Sequence, residues 1–223
     1  MGDTDVRART GFRELMWAEV DDIGSLLHEL PDDDFDRASL CEGWLVRDVI
    51  GHMGYGHTTS TVQIVAGLVR YRFDLTKGSF ELSKAFAASR TPAELRAFWD
   101  DRLVRGRNRH GIARTIKDHE GFLDHFIHHQ DIRRPLGRPR AIAEDRLVAA
   151  LDAVTKVKTP LFATKPIVAG LRLEATDVDW SHGEGTVVRG PAEAIVLAAA
   201  GRKVALAELD GDGVATLSER LAG

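Results

Sequence analysis

The sequence holds a single cysteine, Cys41, among 223 residues. An internal disulfide and a thiolate-rich zinc knuckle are therefore excluded, and a reducing compartment is the default. Long apolar runs are also lacking. None could span a bilayer, and the opening MGDTDVRARTGFREL has no apolar stretch of the signal-peptide kind. The myristoylation pattern fails because Val6 stands where Ser or Thr is needed. Positive charge is not in excess. Thirty basic and 34 acidic side chains leave a net charge of −4, which argues against a general nucleic-acid binder. Repeats and low-complexity tracts are absent. These absences predict a cytoplasmic, soluble protein with no membrane or nucleic-acid partner; a monomer or homodimer is expected. They say nothing about chemistry.

The composition is that of a globular protein, 43% hydrophobic and 29% charged. A chain of this size buries roughly 70% of its unfolded surface, so the core needs no covalent or metal staple. Charge is uneven: residues 1–50 carry 13 acidic and 5 basic side chains, whereas 101–140 carry 5 and 10. Seven of the nine histidines lie between His52 and His129.

Apolar residues recur at helical spacing from Phe12 to Leu30, where Pro31 stops the run. A second helix is expected from Leu45, through Val49 and Met53, resuming to Ile64 and Leu68. Thr91-Pro92-Ala93-Glu94 is a capping box with proline at the first helical position, opening a third. A fourth is expected from Asp118 to Arg134, and a connecting helix from Ala141 to Val157. The texture changes near Thr159 and Pro160. Leu171 to Trp180 mostly alternates and reads as a strand, bulged near Asp177. Ser181 to Gly185 reads as a turn, with Gly183-Glu184-Gly185 at a hairpin, and Thr186 to Arg189 as a short return strand. Helices follow from Pro191 to Ala200 and from Val214 to Leu221. The expected fold class is α+β: a four-helix bundle over residues 1–141, then a small α/β domain over 142–223.

The chemistry-bearing segment is Asp124-His125-Phe126-Ile127-His128-His129-Gln130-Asp131. On a helix Asp124 and His128 lie about 40° apart and share a face. Both can reach one metal ion. His125 and His129 share the same spacing about 100° away, so which histidine serves stays open. A third ligand must come from a facing helix, and His52 is the best candidate. Gly51, Gly54 and Gly56 surround it, each costing a helix interior about 1 kcal/mol, which suggests that a packed backbone or a ligand needs the space. Two histidines and a carboxylate leave coordination positions open, as in catalytic zinc or non-haem iron sites. Water or a thiol can enter, and a metal-bound thiol becomes a nucleophile. His57, His110, His119 and His182 read as ordinary interior or surface histidines. Cys41 reads as packed, the tryptophans Trp17, Trp44, Trp99 and Trp180 as core or domain seam, and Arg102 to Arg140 as a solvated basic surface.

Leu40-Cys41-Glu42-Gly43-Trp44 with Asp48-Val49-Ile50-Gly51-His52 resembles a signature of the mycothiol-dependent maleylpyruvate isomerase family, within the DinB/YfiT-like metal-binding superfamily. Asp124 to Asp131 with Pro135-Leu136-Gly137 resembles its second signature, and Leu171 to Gly211 its small second domain. The resemblance implies a DinB-like bundle holding a divalent metal, usually Zn2+, on His52, Asp124 and His128. It implies a metal-activated mycothiol that adds to a small electrophile, a carboxylate among them, as isomerase or thiol transferase. An arginine of the second domain would meet the substrate, and Arg202 is the candidate; no catalytic residue is assigned. Asp124 stands where the founding enzyme has glutamate, drawing the carboxylate back by about 1.5 Å. Leu45 stands where relatives often carry a Ser or Thr helix cap. Alternative readings are a metal-dependent hydrolase, a non-catalytic metal-containing bundle that binds a ligand or partner, and a bundle without metal.

Overall fold

A computed structural model of the chain describes residues 11–72, 74–107, 109, 111–157 and 164–222. His110, Thr159 and Pro160 lie outside the described residues. The chain is α+β and divides into two compact units, Met16–Arg140 and the remainder from Ala141 with the residues before Met16.

The first unit is helical. It contains α1 (Phe12–Glu29) from Met16 onward, α2 (Val46–Thr58), α3 (Thr61–Arg70), α4 (Leu75–Ala88), α5 (Pro92–Trp99) and α6 (Asp118–Arg133). The capping box at Thr91 forms as expected: Thr91 Oγ1 accepts from the Glu94 amide at 3.3 Å, and Glu94 Oε2 accepts from the Thr91 amide at 2.8 Å. A π-turn over Asp100–Arg105 continues α5. The indole of Trp99 is fully buried and donates to the Val20 carbonyl at 3.0 Å, tying α5 to α1.

Two expectations are corrected here. The expected second helix is two, because Ser60 and Gln63 cap a new start: Ser60 Oγ accepts from the Gln63 amide at 3.3 Å. The sequence also gave no notice of α4, which packs along α2. Its inward face is made of small residues: Ser83 and Ala87 are fully buried. A Cβ on Gly51 would come within 2.8 Å of the Ser83 carbonyl oxygen and 3.0 Å of Ala87 Cβ. Gly51 thus makes room for the backbone of α4, and Gly54 for the ring of Phe98. Gly56 meets nothing within 4 Å. At the start of α2, Leu45 supplies no side-chain cap, but Asp48 Oδ2 accepts the Leu45 amide at 2.9 Å, which is half of a capping box.

The second unit holds α7 (Glu144–Lys156), α8 (Thr164–Val168), β1 (Leu171–Ala175), β2 (Ser181–His182), β3 (Thr186–Gly190), α9 (Ala192–Ala199) and α10 (Gly213–Ala222). The sheet order is β2-β1-β3. The expected long strand stops at Ala175, and residues read as a turn form β2, antiparallel to β1 with Leu173 opposite His182. The expected return strand is β3, which runs parallel to β1, Leu171 opposite Thr186. Gly183-Glu184-Gly185 is therefore no hairpin between β1 and β3. Gly185 has φ +127°, and a Cβ there would fall 2.1 Å from the Gly170 carbonyl oxygen. Asp177 Oδ1, at the suspected bulge, instead accepts the Ala192 amide at 2.8 Å and caps α9. Among the described residues no helix is long and apolar enough to cross a membrane.

Candidate metal centre

His52 stands on the second turn of α2, and Asp124 and His128 share one face of α6, a helical turn apart. The two helices pack together. His52 Nε2 is 3.7 Å and His128 Nε2 3.6 Å from Asp124 Oδ1, and one ligand atom from each residue lies within 4.8 Å of the other two. Those separations are too long for hydrogen bonds. They approach the edges of about 3.4 Å expected between ligands of a tetrahedral zinc ion. The shorter arm of Asp124 reaches both imidazoles.

The other nitrogen of each ring is engaged elsewhere. His52 Nδ1 faces Ser79 Oγ at 3.3 Å and Ser83 Oγ at 3.4 Å, both on α4. Nδ1–H of His128 donates to Asp131 Oδ2 at 2.9 Å. Asp131 thereby leaves His128 Nε2 with its lone pair toward Asp124, and the serine hydroxyls are able to accept from an Nδ1–H on His52, which would leave its Nε2 in the same state. A carboxylate or hydroxyl behind a metal-binding imidazole is the usual means of fixing its orientation. The donor set therefore fits a divalent metal with open positions. Burial by itself raises the carboxyl pKa of Asp124, but His128, His52 and His125 together outweigh it and hold it well below the usual carboxylate range. A carboxylate already ionised loses no proton when it binds a cation.

The neighbouring histidines point to other partners. Nδ1–H of His125 donates to the Gly121 carbonyl at 2.8 Å, and its Nε2 is 3.1 Å from Nε2 of the buried His57. Burial lowers the pKa of His125. His129 is fully buried. Its Nδ1–H donates to Glu19 Oε2 at 2.8 Å, and its Nε2 accepts from Arg133 Nε at 2.7 Å. Both nitrogens of each ring thus have other hydrogen-bond partners, although His125 Nδ1 also comes within 3.9 Å of Asp124 Oδ2.

The basic stretch is correspondingly not all solvated surface. The side chain of Arg140 is 8% exposed and grips Glu19 with Nη2 at 2.8 and 3.0 Å. Trp44, expected in the core or at a domain seam, borders the centre. Its ring packs 5.2 Å from His52, 6.3 Å from His128 and 5.9 Å from Phe80, forming an aromatic wall at the centre. Asp131, Ser79, Ser83 and Trp44 were not read from the sequence as site residues. The i, i+3 spacing of His128 and Asp131 and the i, i+4 spacing of the two serines are the signals that mark them. Arg202 belongs to the other unit, where its Nη1 donates to the Ala200 carbonyl at 2.7 Å. His119 is half-buried, and His182 is exposed on β2.

Residues 16–110 match the mycothiol maleylpyruvate isomerase N-terminal domain, a stretch that includes His52 and ends before α6. Two solved structures share the fold. One is the mycothiol-dependent maleylpyruvate isomerase, 17% identical over 86% of this chain and 88% of that one, with a TM-score of 0.55. The other is a histidine-to-alanine mutant of such an enzyme, 16% identical over 90% and 91% of the two chains, with a TM-score of 0.58. No curated protein sequence matches. Residues 16–110 thus resemble the mycothiol maleylpyruvate isomerase N-terminal domain, and the chain shares its α+β fold with these two solved structures.

Proposed function

We propose that the protein is a metal-dependent enzyme in which mycothiol adds to a small electrophile, a maleylpyruvate-type isomerisation or a related thiol transfer. The observation that carries this reading is the convergence of His52 Nε2 at 3.7 Å and His128 Nε2 at 3.6 Å on Asp124 Oδ1, with one ligand atom of each residue within 4.8 Å of the others. His52, Asp124 and His128 would hold a divalent cation, Zn2+ by the chemistry of its donors. Such a cation would supply Lewis acidity, which lowers the pKa of a bound thiol toward neutrality.

The chain's own residues account for the rest. Ser79 and Ser83 hold the ring of His52. The Trp44 and Phe80 rings cover one side of the centre with apolar surface and limit access of water. In a cis–trans isomerisation the thiolate adds to the double bond, rotation follows about the single bond that results, and the thiolate leaves. Atoms balance with no net redox change. Arg202 is the candidate to meet a substrate carboxylate.

Purified without chelator, the wild-type chain is expected to carry about one metal ion and to accelerate addition of mycothiol to maleylpyruvate, followed by the change in ultraviolet absorbance. His52→Ala should lose both metal and rate. Metal retained in His52→Ala would remove the site, and a metal-loaded chain with no rate above background would overturn the enzymatic reading.

A further inference from the structure

His128 stands between two groups of potential ligands. Its Nε2 faces His52 and Asp124, and its Nδ1 faces Cys41 and Asp131. We infer that Asp131 is a positioning residue, held in turn by the Cys41 thiol, which locks His128 in the tautomer that leaves Nε2 bare toward His52 and Asp124.

Three observations support this. First, Asp131 has no exposed surface, although it is a carboxylate. A buried carboxylate must be matched by donors or charge, and a hydrogen bond to one is worth more than a neutral pair. Second, the same atom, Oδ2, accepts from two side chains: from Nδ1–H of His128 at 2.9 Å and from Sγ–H of Cys41 at 3.1 Å. Third, Cys41 Sγ is 3.8 Å from His128 Nδ1, so thiol, carboxylate and imidazole form a closed triangle on the side of the ring away from Asp124. The half-buried Cys41 is carried by the loop ahead of α2, and the Leu40 amide donates to the Asp131 carbonyl at 3.0 Å. The loop is therefore tied to α6 by main chain as well as by thiol.

The chemical consequence follows from the inventory of donors. A carboxylate oxygen only accepts, so it requires a hydrogen on Nδ1 and leaves Nε2 with its lone pair free. An amide at the same place can turn its NH2 toward Nδ1. The hydrogen then moves to Nε2, where it blocks coordination. Asp131→Asn preserves size and shape, so it tests the tautomer rather than the packing.

This inference rests on the proposed metal centre, but its first test does not use the metal. Long-range 1H–15N spectra of the metal-free full-length chain are expected to show His128 protonated at Nδ1 and bare at Nε2, and Asp131→Asn to shift it toward the Nε2–H form. A wild-type His128 carrying its proton on Nε2 would overturn the inference, whether or not the variant folds. Next, Zn2+ affinity is read by competition with a chromophoric chelator. Asp131→Asn should weaken Zn2+ binding by about 10- to 100-fold, the range found for such supporting residues. Cys41→Ser, which keeps a donor, should stay within about threefold of wild type, and Cys41→Ala should fall between the two. An affinity unchanged in Asp131→Asn would also overturn it. A wild-type chain that binds no Zn2+ would defeat the proposed centre, leaving the tautomer spectra to decide the role of Asp131.

Discussion

Glu19 and His129 meet with no exposed surface on either, Nδ1–H to Oε2 at 2.8 Å. The ring is held neutral, because its Nε2 accepts from Arg133 and so carries no hydrogen. Burial, opposed by Glu19, pushes the His129 pKa down to about 4 from its ordinary 6.5. Burial works against the charge on Glu19, but the His129 hydrogen bond and the Arg140 guanidinium outweigh it and bring the pKa to about 2 from 4.5.

Both shifts make acid destabilising, in two windows. A folded His129 resists protonation, so below pH about 6.5 the unfolded chain takes up the proton first, and stability falls until pH about 4. The Glu19 contribution is complete above pH about 4.5 and is lost as pH falls through about 2. Urea unfolding with chelator present, at a series of pH values, is expected to show this decline. Glu19→Gln should flatten the lower limb. A stability independent of pH between 6.5 and 2.5 would refute the assignment.

Asp124 Oδ1 lies 3.6–3.7 Å from both imidazole nitrogens, on a side chain 26% exposed. Removing its charge by Asp124→Asn is expected to cost more than the 10- to 100-fold typical of a supporting residue, so roughly 100-fold or more in Zn2+ affinity. Asp124→Glu lengthens the arm by one methylene on a side chain with room to move. It should retain metal within about tenfold. Chelator competition measures both.

Two glycines of α2 should respond in opposite directions to the same substitution. At Gly51 a methyl group meets backbone, the Ser83 oxygen at 2.8 Å. Gly51→Ala is expected to destabilise by about 1–3 kcal/mol. Gly56 has nothing within 4 Å of a Cβ. Gly56→Ala should stabilise by about 0.5–1 kcal/mol through helix propensity alone. Denaturant midpoints compare them directly.

Leu45 has the extended dihedrals of an N-cap, φ −84° and ψ 166°, but no oxygen to offer. Asp48 already returns its half of the box to the Leu45 amide. Leu45→Ser should complete it and add about 1 kcal/mol of stability. A melting temperature unchanged or lowered would show that the exposed Leu45 side chain contributes more than the missing cap.

Legibility varied with the kind of signal. The Thr91–Glu94 box was plain because capping is local chemistry, and the structure forms it. The Ser60–Gln63 box is equally local, but the apolar pattern runs on through it and masks the break. Helix α4 left little trace. Its buried face is made by Ser83 and Ala87, and small residues facing a glycine carry no hydrophobic periodicity. The direction of β3 could not be read either. A strand's alternation is the same whether its partner runs parallel or antiparallel, and only pairing with β1 decides it.

The sequence by itself determined that Asp124 and His128 share a helical face, because 3.6 residues per turn leaves no other arrangement. It also identified the helix that carries His52. The tertiary structure decided which imidazoles were left available. His125 and His129 have the same spacing, yet Gly121, His57, Glu19 and Arg133 engage their nitrogens. Asp131 engages only the rear of His128, so its Nε2 still faces Asp124. A ring nitrogen's partner comes from elsewhere in the chain, and hydrogen bonds across helices, not periodicity along one, settle which nitrogen stays open.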